Sequence, residues 1–265
     1  MADVNPNRLR WGAIAWLLTL QFFVTETIAA LRFEGAYSRA DDVISTLGAA
    51  ESAARQLMNA SFVVQSALTL GGALLLRPFL LRGAAQVAPV LLGAASLGVL
   101  LVGVFPIDGN ATVHAVGAVL YLVGGGLGLI ALAYAVRPRS EALGTTLALL
   151  GLIATAATVF FLTGVTAYLG EGDTERAAAY PLPLGLALAG LLLWRLGGGT
   201  GDTAEAPERP SRQEERARAR AGQAARDRAR DEALAAGAIT TRRAETDTDE
   251  QDTDDPWARP ARGRD

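Results

Sequence analysis

The sequence contains no cysteine and no lysine, and its single histidine is His114. Without cysteine the chain forms no disulfides, binds no metal through thiolates and has no cysteine nucleophile. Zinc sites take three or four ligands from histidine, cysteine and carboxylates, so one histidine argues against a standard site. The sequence therefore predicts no bound metal.

Charge of one sign is also scarce. The formal net charge is −3 over 265 residues, so there is no basic field of the kind that binds nucleic acid. Walker loops, dinucleotide glycine fingerprints, HExxH and GxSxG with a partnered histidine are absent as well. We therefore predict no nucleic-acid partner and no cofactor, and we favour a non-enzymatic protein.

Apolar residues, by contrast, are abundant and fall into six long segments. A bilayer core of about 30 Å needs about 20 apolar residues in a helix. In lipid, a continuous apolar segment can satisfy its own backbone hydrogen bonds by forming a helix. Barrel strands instead alternate apolar and polar residues, and these segments do not. The predicted fold class is all-α, a polytopic six-helix transmembrane bundle in the lipid bilayer. Its domain covers residues 1–196, with helices at 11–31, 58–76, 87–105, 113–136, 143–169 and 180–196.

Residues 197–265 differ sharply in composition from the rest of the chain. They carry 13 arginines and 16 acidic residues, against 11 of each in residues 1–196. Such a segment is too polar to bury a core, and we predict a mostly disordered tail. A capping box of Ser211 and Glu214 begins a polar helix expected over 211–236. That helix is interpreted as a solvated linker, with contact to a cytoplasmic protein partner or anionic lipid as the alternative.

Arginines in the short connections predict the orientation. The N-terminus, the second and fourth connections and the end of the last helix carry seven arginines against two acidic residues. The other connections carry four arginines against eight acidic residues. Because basic connections stay on the cytoplasmic side, we predict a multi-pass cell-membrane protein with both termini in the cytoplasm.

The first outer connection, residues 32–57, is long and has internal structure signals. Ser38 with Asp41 three residues later resembles a helix N-cap. Apolar residues follow at Val43, Ile44 and Leu47. We predict a small helix that lies on the outer surface.

Small and polar residues within the segments indicate which helix faces pack together. In the fourth segment one face carries His114, Gly117, Tyr121, Gly124 and Gly128. Glycines four residues apart let a neighbouring helix approach closely. We therefore expect this face to lie in the interior of the bundle.

Glu26 lies inside the first segment, about five residues from its outer end. A charge at the centre of a membrane helix costs about 2.5–3.5 kcal/mol on insertion scales. We expect Glu26 to face protein or water, either partly protonated or paired, with Arg176 as a candidate partner. The alternative is a shallow carboxylate that reaches water near the interface.

Asp108 and His114 flank a short outer turn. Such a pair can orient a general base, bind a cation or sense external pH. The alternative is structural: Asp108 closes the turn and His114 bonds to a neighbouring helix.

Four short motifs occur in order near the outer ends of the segments. They are Tyr37-Ser38 with Ile44-Ser45-x-Leu47-Gly48, Asn59-x-x-Phe62, Gly103-x-Phe105-Pro106-x-Asp108 with His114, and Glu175-Arg176 before Tyr180-Pro181. Together they resemble the DUF998 family of prokaryotic integral membrane proteins, which is distantly similar to Frag/DRAM/Sfk-type six-helix proteins. The resemblance implies an integral membrane protein with an outer-facing polar cluster, and it implies no substrate.

Our leading hypothesis is that the outer end of the bundle binds a lipid headgroup or a small polar ligand. The residues predicted to bind it are Glu26, Tyr37, Asp108, His114, Glu175 and Arg176. A membrane-embedded lipid hydrolase is one alternative, with His114 as base, Asp108 as its orienter and Ser38 or Ser45 as nucleophile. A proton-coupled transporter is another, motivated by Glu26.

Overall fold

A computed structural model describes residues 6–80, 83–198 and 220–230. Within these ranges the protein is helical, and eight α-helices precede residue 199. They are α1 (Pro6–Leu18), α2 (Gln21–Leu31), α3 (Arg55–Leu76), α4 (Ala84–Val104), α5 (Ala111–Val136), α6 (Glu141–Leu162), α7 (Glu171–Ala179) and α8 (Pro181–Gly198). Short 3₁₀-helices cover Ile44–Gly48 and Arg77–Phe79.

Six spans are long and apolar enough to cross a membrane, which confirms the predicted fold class. They are Asn7–Leu31, Arg55–Phe79, Gln86–Val104, Ala111–Val136, Glu141–Leu162 and Glu171–Arg195. The connections at 32–54, 105–110 and 163–170 lie at one end of the bundle, called here the Glu26 end. The connection at 137–140 lies at the other end, called the Arg137 end.

The fifth span is shorter than predicted and the sixth is longer. The sequence predicted helix to residue 169, but α6 ends at Leu162 and residues 163–170 form turns. Gly164 and Gly170 have φ angles of 72° and 86°, a region that glycine enters without steric cost. The sixth span then begins nine residues earlier than expected, at Glu171, because α7 precedes α8.

The first and last spans are each broken, and each break has a polar side chain beside it. Thr19, between α1 and α2, donates from Oγ1 to the carbonyl of Pro183 at 3.1 Å. Pro183 has no N–H, so the carbonyl of Ala179 loses its helical partner. The hydroxyl of Tyr121 donates to that carbonyl at 3.3 Å.

The glycine face of α5 packs against α4, as its interior position predicted. A Cβ on Gly117 would lie 2.8 Å from the Gly98 carbonyl, and one on Gly124 would lie 2.8 Å from the Ala95 nitrogen. Backbones this close gain dispersion contacts that replace the absent hydrophobic driving force in lipid. The sequence identified the face, and the structure identifies α4 as its partner.

The small helix predicted in the first connection is present as a 3₁₀-helix at Ile44–Gly48, but it is buried rather than on the surface and it does not begin at Ser38. Ser38 and Asp41 bond to each other, Ser38 Oγ to Asp41 Oδ2 at 2.7 Å, but this closes a turn rather than starting a helix. The 3₁₀-helix that follows buries Ile44 and Leu47. Asn59 fastens it to α3 by donating from Nδ2 to the Gly48 carbonyl at 2.9 Å.

The remaining described residues, 220–230, belong to a second unit that spans 203–265. They are helical, and nearly all are exposed. The rest of the predicted helix over 211–236, and the disorder expected for the tail, fall outside the described residues.

Candidate functional site

Glu26 and Arg176 form a buried ion pair at the Glu26 end. Glu26 lies in the second half of α2 and Arg176 lies on α7. Arg176 Nε donates to Glu26 Oε1 at 2.9 Å, and the two side chains are 3% and 4% exposed. The pairing proposed from the sequence is therefore present, and the solvated alternative for Glu26 is wrong.

The rest of the Arg176 guanidinium holds the first connection. Nη1 donates to the carbonyls of Arg39 at 2.7 Å and Asp42 at 3.0 Å, and Nη2 donates to the Tyr37 hydroxyl. Arginine carries five N–H donors in a rigid fork. Glu26 and residues 37–42 accept most of these hydrogen bonds, so Arg176 joins α7 to α2 and to the first connection.

Glycine on α7 permits this close approach. A Cβ on Gly172 would lie 2.3 Å from the Asp42 carbonyl and 2.6 Å from the Arg39 carbonyl. The loop backbone would have to shift to accommodate any larger side chain. The fit of α7 against the first connection therefore depends on glycine at this position.

The second carboxylate oxygen of Glu26 is bonded to Tyr180. Tyr180 donates its hydroxyl to Oε2 at 2.6 Å, and Arg39 Nη2 donates to the same hydroxyl at 2.7 Å. Arg39 also lies over the Tyr180 ring, 5.6 Å from its centroid. Its guanidinium stands 3.9 Å from Glu26 Oε1 and 4.0 Å from Asp173 Oδ1. The Arg39 side chain is 58% exposed, unlike that of Arg176.

Tyr37 is held neutral beside these charges. Burial raises the pKa of its hydroxyl, and the positive charge of Arg176 opposes that rise without cancelling it. A neutral phenol both donates and accepts hydrogen bonds. At neutral pH, Tyr37 therefore accepts the hydrogen bond from Arg176 as a protonated hydroxyl.

Glu175 neighbours Arg176 in the chain but belongs to a different environment. Its carboxylate accepts the backbone N–H of Ile44, which ties α7 to the 3₁₀-helix. It also lines a cavity of about 30 Å³ together with His114 and Ser45. A cavity of that size holds about one water molecule, so no substrate fits there in this conformation.

His114 and Asp108 have separate partners. His114 Nδ1 lies 2.8 Å from the Phe105 carbonyl, and since a carbonyl only accepts, Nδ1 carries the hydrogen. Asp108 accepts the Ala50 N–H at 2.9 Å. The hydrolase hypothesis requires Asp108 to bond to His114. That bond is not formed, because each of the two side chains bonds to a backbone group instead. His114 bonds to the residue that ends α4, as the structural alternative proposed, whereas Asp108 bonds to Ala50 in the first connection and does not close its own turn.

The six predicted site residues thus fall into three groups. Glu26, Tyr37 and Arg176 meet in one cluster, and His114 and Glu175 share the small cavity. Asp108 stands apart from both groups and accepts the Ala50 N–H. The cluster at the ion pair, with the added residues Arg39 and Tyr180, is called here the Arg176 cluster.

A family model matches residues 16–197, which covers nearly all of the six spans. The chain belongs to the DUF998 family, described as proteins of unknown function. This confirms the resemblance drawn from the short motifs, while the more distant similarity to Frag/DRAM/Sfk-type proteins stays a prediction. No curated protein and no solved structure gives a significant match.

Several of the family motifs are packing positions in this structure. A Cβ on Gly103 would lie 2.8 Å from the Asn59 carbonyl, and one on Gly48 would meet the Asn59 side chain. The motifs around Gly48, Asn59 and Gly103 therefore fit together as neighbours. Their function in this chain is to assemble the Glu26 end.

Arg39 and Tyr180 are members of the cluster that the sequence analysis did not select. Arg39 looked like one more loop arginine, and Tyr180 was noted only as the residue before Pro181. The signal that could have found Tyr180 is an interfacial aromatic residue at a break before proline. Nothing in the local sequence of Arg39 sets it apart.

The side chains of the Arg176 cluster are hydrogen-bond donors and acceptors suited to binding. It contains two guanidinium groups, one carboxylate and two phenols, and it lacks a nucleophile with a free base. Among residues 6–80, 83–198 and 220–230, no group of three His, Cys, Asp or Glu side chains is placed to hold a metal ion. The exposed donor of this cluster is Arg39.

Proposed function

We propose that the protein is a non-enzymatic membrane protein whose Glu26 end binds an anionic headgroup through Arg39. The observation that supports this proposal is the contrast between the two arginines of the cluster. Arg176 is buried with its donors used internally, whereas Arg39 is 58% exposed and held in one place over Tyr180. An exposed, oriented guanidinium is the group that recognises phosphate with two parallel hydrogen bonds.

The present partners of Arg39 favour exchange with such a ligand. Its close contact is the 2.7 Å bond to the Tyr180 hydroxyl, which is neutral. Its ion pairs to Glu26 and Asp173 are long, at 3.9 Å and 4.0 Å, and ion pairs with a solvent-exposed partner contribute little to stability. Glu26 keeps Arg176 and Tyr180 as partners when Arg39 leaves. A phosphate therefore gains a strong partner without leaving a buried charge unpaired.

The surroundings suit the polar head of a membrane lipid. Tyr37 and Tyr180 place phenol groups near the end of the spans, where aromatic residues contact headgroups. Large side chains at the same end of the bundle are exposed, including Leu31 at the end of α2 and Tyr168 in the 163–170 connection. A lipid headgroup and a small soluble phosphate share the chemistry that Arg39 recognises, and the test separates the two.

The number of phospholipids retained after mild purification tests the proposal by native mass spectrometry. Arg39→Gln should lose one retained phospholipid, or lower its occupancy about tenfold, because a charge-assisted contact is removed. Arg55→Gln is the matched control, since Arg55 is an exposed arginine at the start of α3. Equal retention in Arg39→Gln and the unmodified protein would contradict the proposal, as would an equal loss in the control.

A second arm identifies the source of the phosphate. Glycerol phosphate is added to delipidated protein and thermal unfolding is followed. Stabilisation that requires Arg39 without any retained lipid indicates a small soluble ligand. Retained lipid with no effect of glycerol phosphate indicates a membrane headgroup.

A further inference from the structure

A groove between α5 and α6 opens on the surface of the bundle at the Arg137 end. It has a volume of about 340 Å³ and is lined by Tyr134 from α5, by Arg137 directly after it, and by Gly144, Thr145, Leu149 and Leu152 from α6. Volumes of about 300 Å³ and above are typical of small-molecule sites. The groove does not touch the Arg176 cluster.

The walls of the groove face lipid. Tyr134, Leu149 and Leu152 are 59%, 55% and 61% exposed, although all three lie within membrane-spanning segments. Large apolar side chains on the outside of a membrane span contact acyl chains. The occupant of the groove is therefore drawn from the bilayer.

One guanidinium closes the polar end of the groove. Arg137 is the residue directly after α5, it is exposed, and the described residues provide no hydrogen-bond or ion-pair partner for its side chain. Its stem lies across Gly144, where an added Cβ would meet Arg137 Cβ at 2.8 Å. Glycine at 144 therefore lets the arginine lie against α6, above the apolar part of the groove.

The inner end of the groove, at Leu152, lies about one leaflet's depth into the α6 span. Eleven residues separate Glu141, where α6 begins, from Leu152, which is about 16 Å at helical rise. That is about half of the 30 Å hydrocarbon core. An acyl chain that enters at Arg137 would reach the bilayer midplane at Leu152.

We propose that the α5/α6 groove is a binding site for one anionic phospholipid. Its phosphate contacts Arg137, the ring of Tyr134 lies beside the glycerol region, and one acyl chain follows Thr145, Leu149 and Leu152. Basic pockets between transmembrane helices suit anionic headgroups because the charge is held next to an apolar channel. This site is separate from the headgroup contact proposed at Arg39 and uses none of its residues.

Photocrosslinking in nanodiscs tests the site directly. The probes are phosphatidylglycerol and phosphatidylcholine, each with a diazirine on one acyl chain, and crosslinks are mapped by peptide mass spectrometry. We expect the phosphatidylglycerol probe to label residues 133–152 more strongly than the phosphatidylcholine probe. Arg137→Gln should lower phosphatidylglycerol labelling there about tenfold and remove the preference.

Two further variants make the result specific. Arg10→Gln removes an exposed arginine of α1 that does not line the groove, and its labelling should match that of the unmodified protein. Thr145→Phe fills the groove from an exposed position and should lower labelling by both probes. Thermal unfolding of each variant confirms that the bundle stays folded.

Three outcomes would overturn the proposal. The first is an unchanged lipid preference in Arg137→Gln. The second is an equal loss in Arg10→Gln, which would indicate general charge attraction. The third is unchanged labelling in Thr145→Phe, which would place the acyl chain elsewhere.

Discussion

Glu26 and Arg176 depend on each other because both are removed from water. Each is almost fully buried, and the pair is completed by a hydroxyl and carbonyls of the first connection and by the hydroxyl of Tyr180. A buried pair of this kind contributes little net energy relative to apolar residues, yet breaking it is costly. The cost arises from the charge left behind.

Glu26→Gln should therefore lower the free energy of unfolding by about 3–5 kcal/mol, since it leaves the Arg176 guanidinium buried without its carboxylate. The measurement is unfolding by sodium dodecyl sulfate in mixed micelles. Glu34→Gln, at an exposed site in the adjoining connection, should change stability by no more than about 0.5 kcal/mol. A loss below about 1 kcal/mol in Glu26→Gln would show that the pair is solvated.

The ion pair was predictable from sequence, but its surroundings were not. A lone carboxylate within an apolar segment needs a partner, and Arg176 is one of few candidates at the same end. Arg39 and Tyr180 lie 141 residues apart in the chain and meet only because α7 folds against the first connection. Asp108 and His114 were grouped with the pair by proximity to the outer end, although backbone groups nearer to them had already occupied both side chains.

Breaks in the first and last spans are a feature of the helices rather than of single residues. The two broken spans contact each other through Thr19 and Pro183. Breaking a helix in lipid frees backbone groups, which must find other partners. Thr19 Oγ1 donates to the Trp16 carbonyl at 2.6 Å at the first break, and Tyr121 donates to the Ala179 carbonyl at the second.

The close approach of α4 and α5 predicts that an added methyl group at their contact destabilises the bundle. Gly98→Ala would place a methyl group 2.4 Å from the Tyr121 nitrogen and 2.5 Å from the Gly117 carbonyl. Both are backbone atoms, so the helices must separate, and we expect a loss of about 1–3 kcal/mol. The free energy of unfolding in mixed micelles measures it.

The matched control lies on the same helix. Gly93 also belongs to α4, and a Cβ there meets no atom within 4 Å. Gly93→Ala should therefore be neutral or stabilise by about 0.5–1 kcal/mol, because alanine loses less backbone entropy. Equal destabilisation by the two variants would show that the α4–α5 distance is not the cause.

The periodicity of small residues was readable at the level of the helix. Gly117, Gly124 and Gly128 marked an interior face of α5 before the structure was known. The partner helix was not readable, since α4 carries its own small residues at Gly98 and Ala95 without a distinct pattern. The predicted start of the small helix in the first connection was wrong, because Ser38 and Asp41 bond locally and close a turn.

At the scale of the whole molecule, the bundle has two chemically different ends. The Glu26 end carries the buried ion pair, and the Arg137 end carries exposed arginines. The rule that basic connections stay in the cytoplasm predicts the orientation. Because the sequence contains no cysteine, a single introduced cysteine carries the only thiol of the chain. Labelling of that thiol tests the orientation directly.

Ala36→Cys and Pro138→Cys place one exposed thiol at each end. A membrane-impermeant maleimide should label Ala36→Cys in intact cells and label Pro138→Cys only after permeabilisation. Gel-shift counting of labelled protein measures both. The opposite pattern would reverse the predicted orientation and place the Arg176 cluster in the cytoplasm.

The sequence by itself determined that this is a membrane bundle of six helical spans, because apolar runs of about 20 residues have no other stable state in lipid. It also indicated the buried pair of Glu26 and Arg176. Only the tertiary structure decided which side chains share a site, since those contacts join α2, α7 and the first connection across more than 130 residues. Periodicity and hydropathy act along a segment, whereas a site depends on how segments pack against one another.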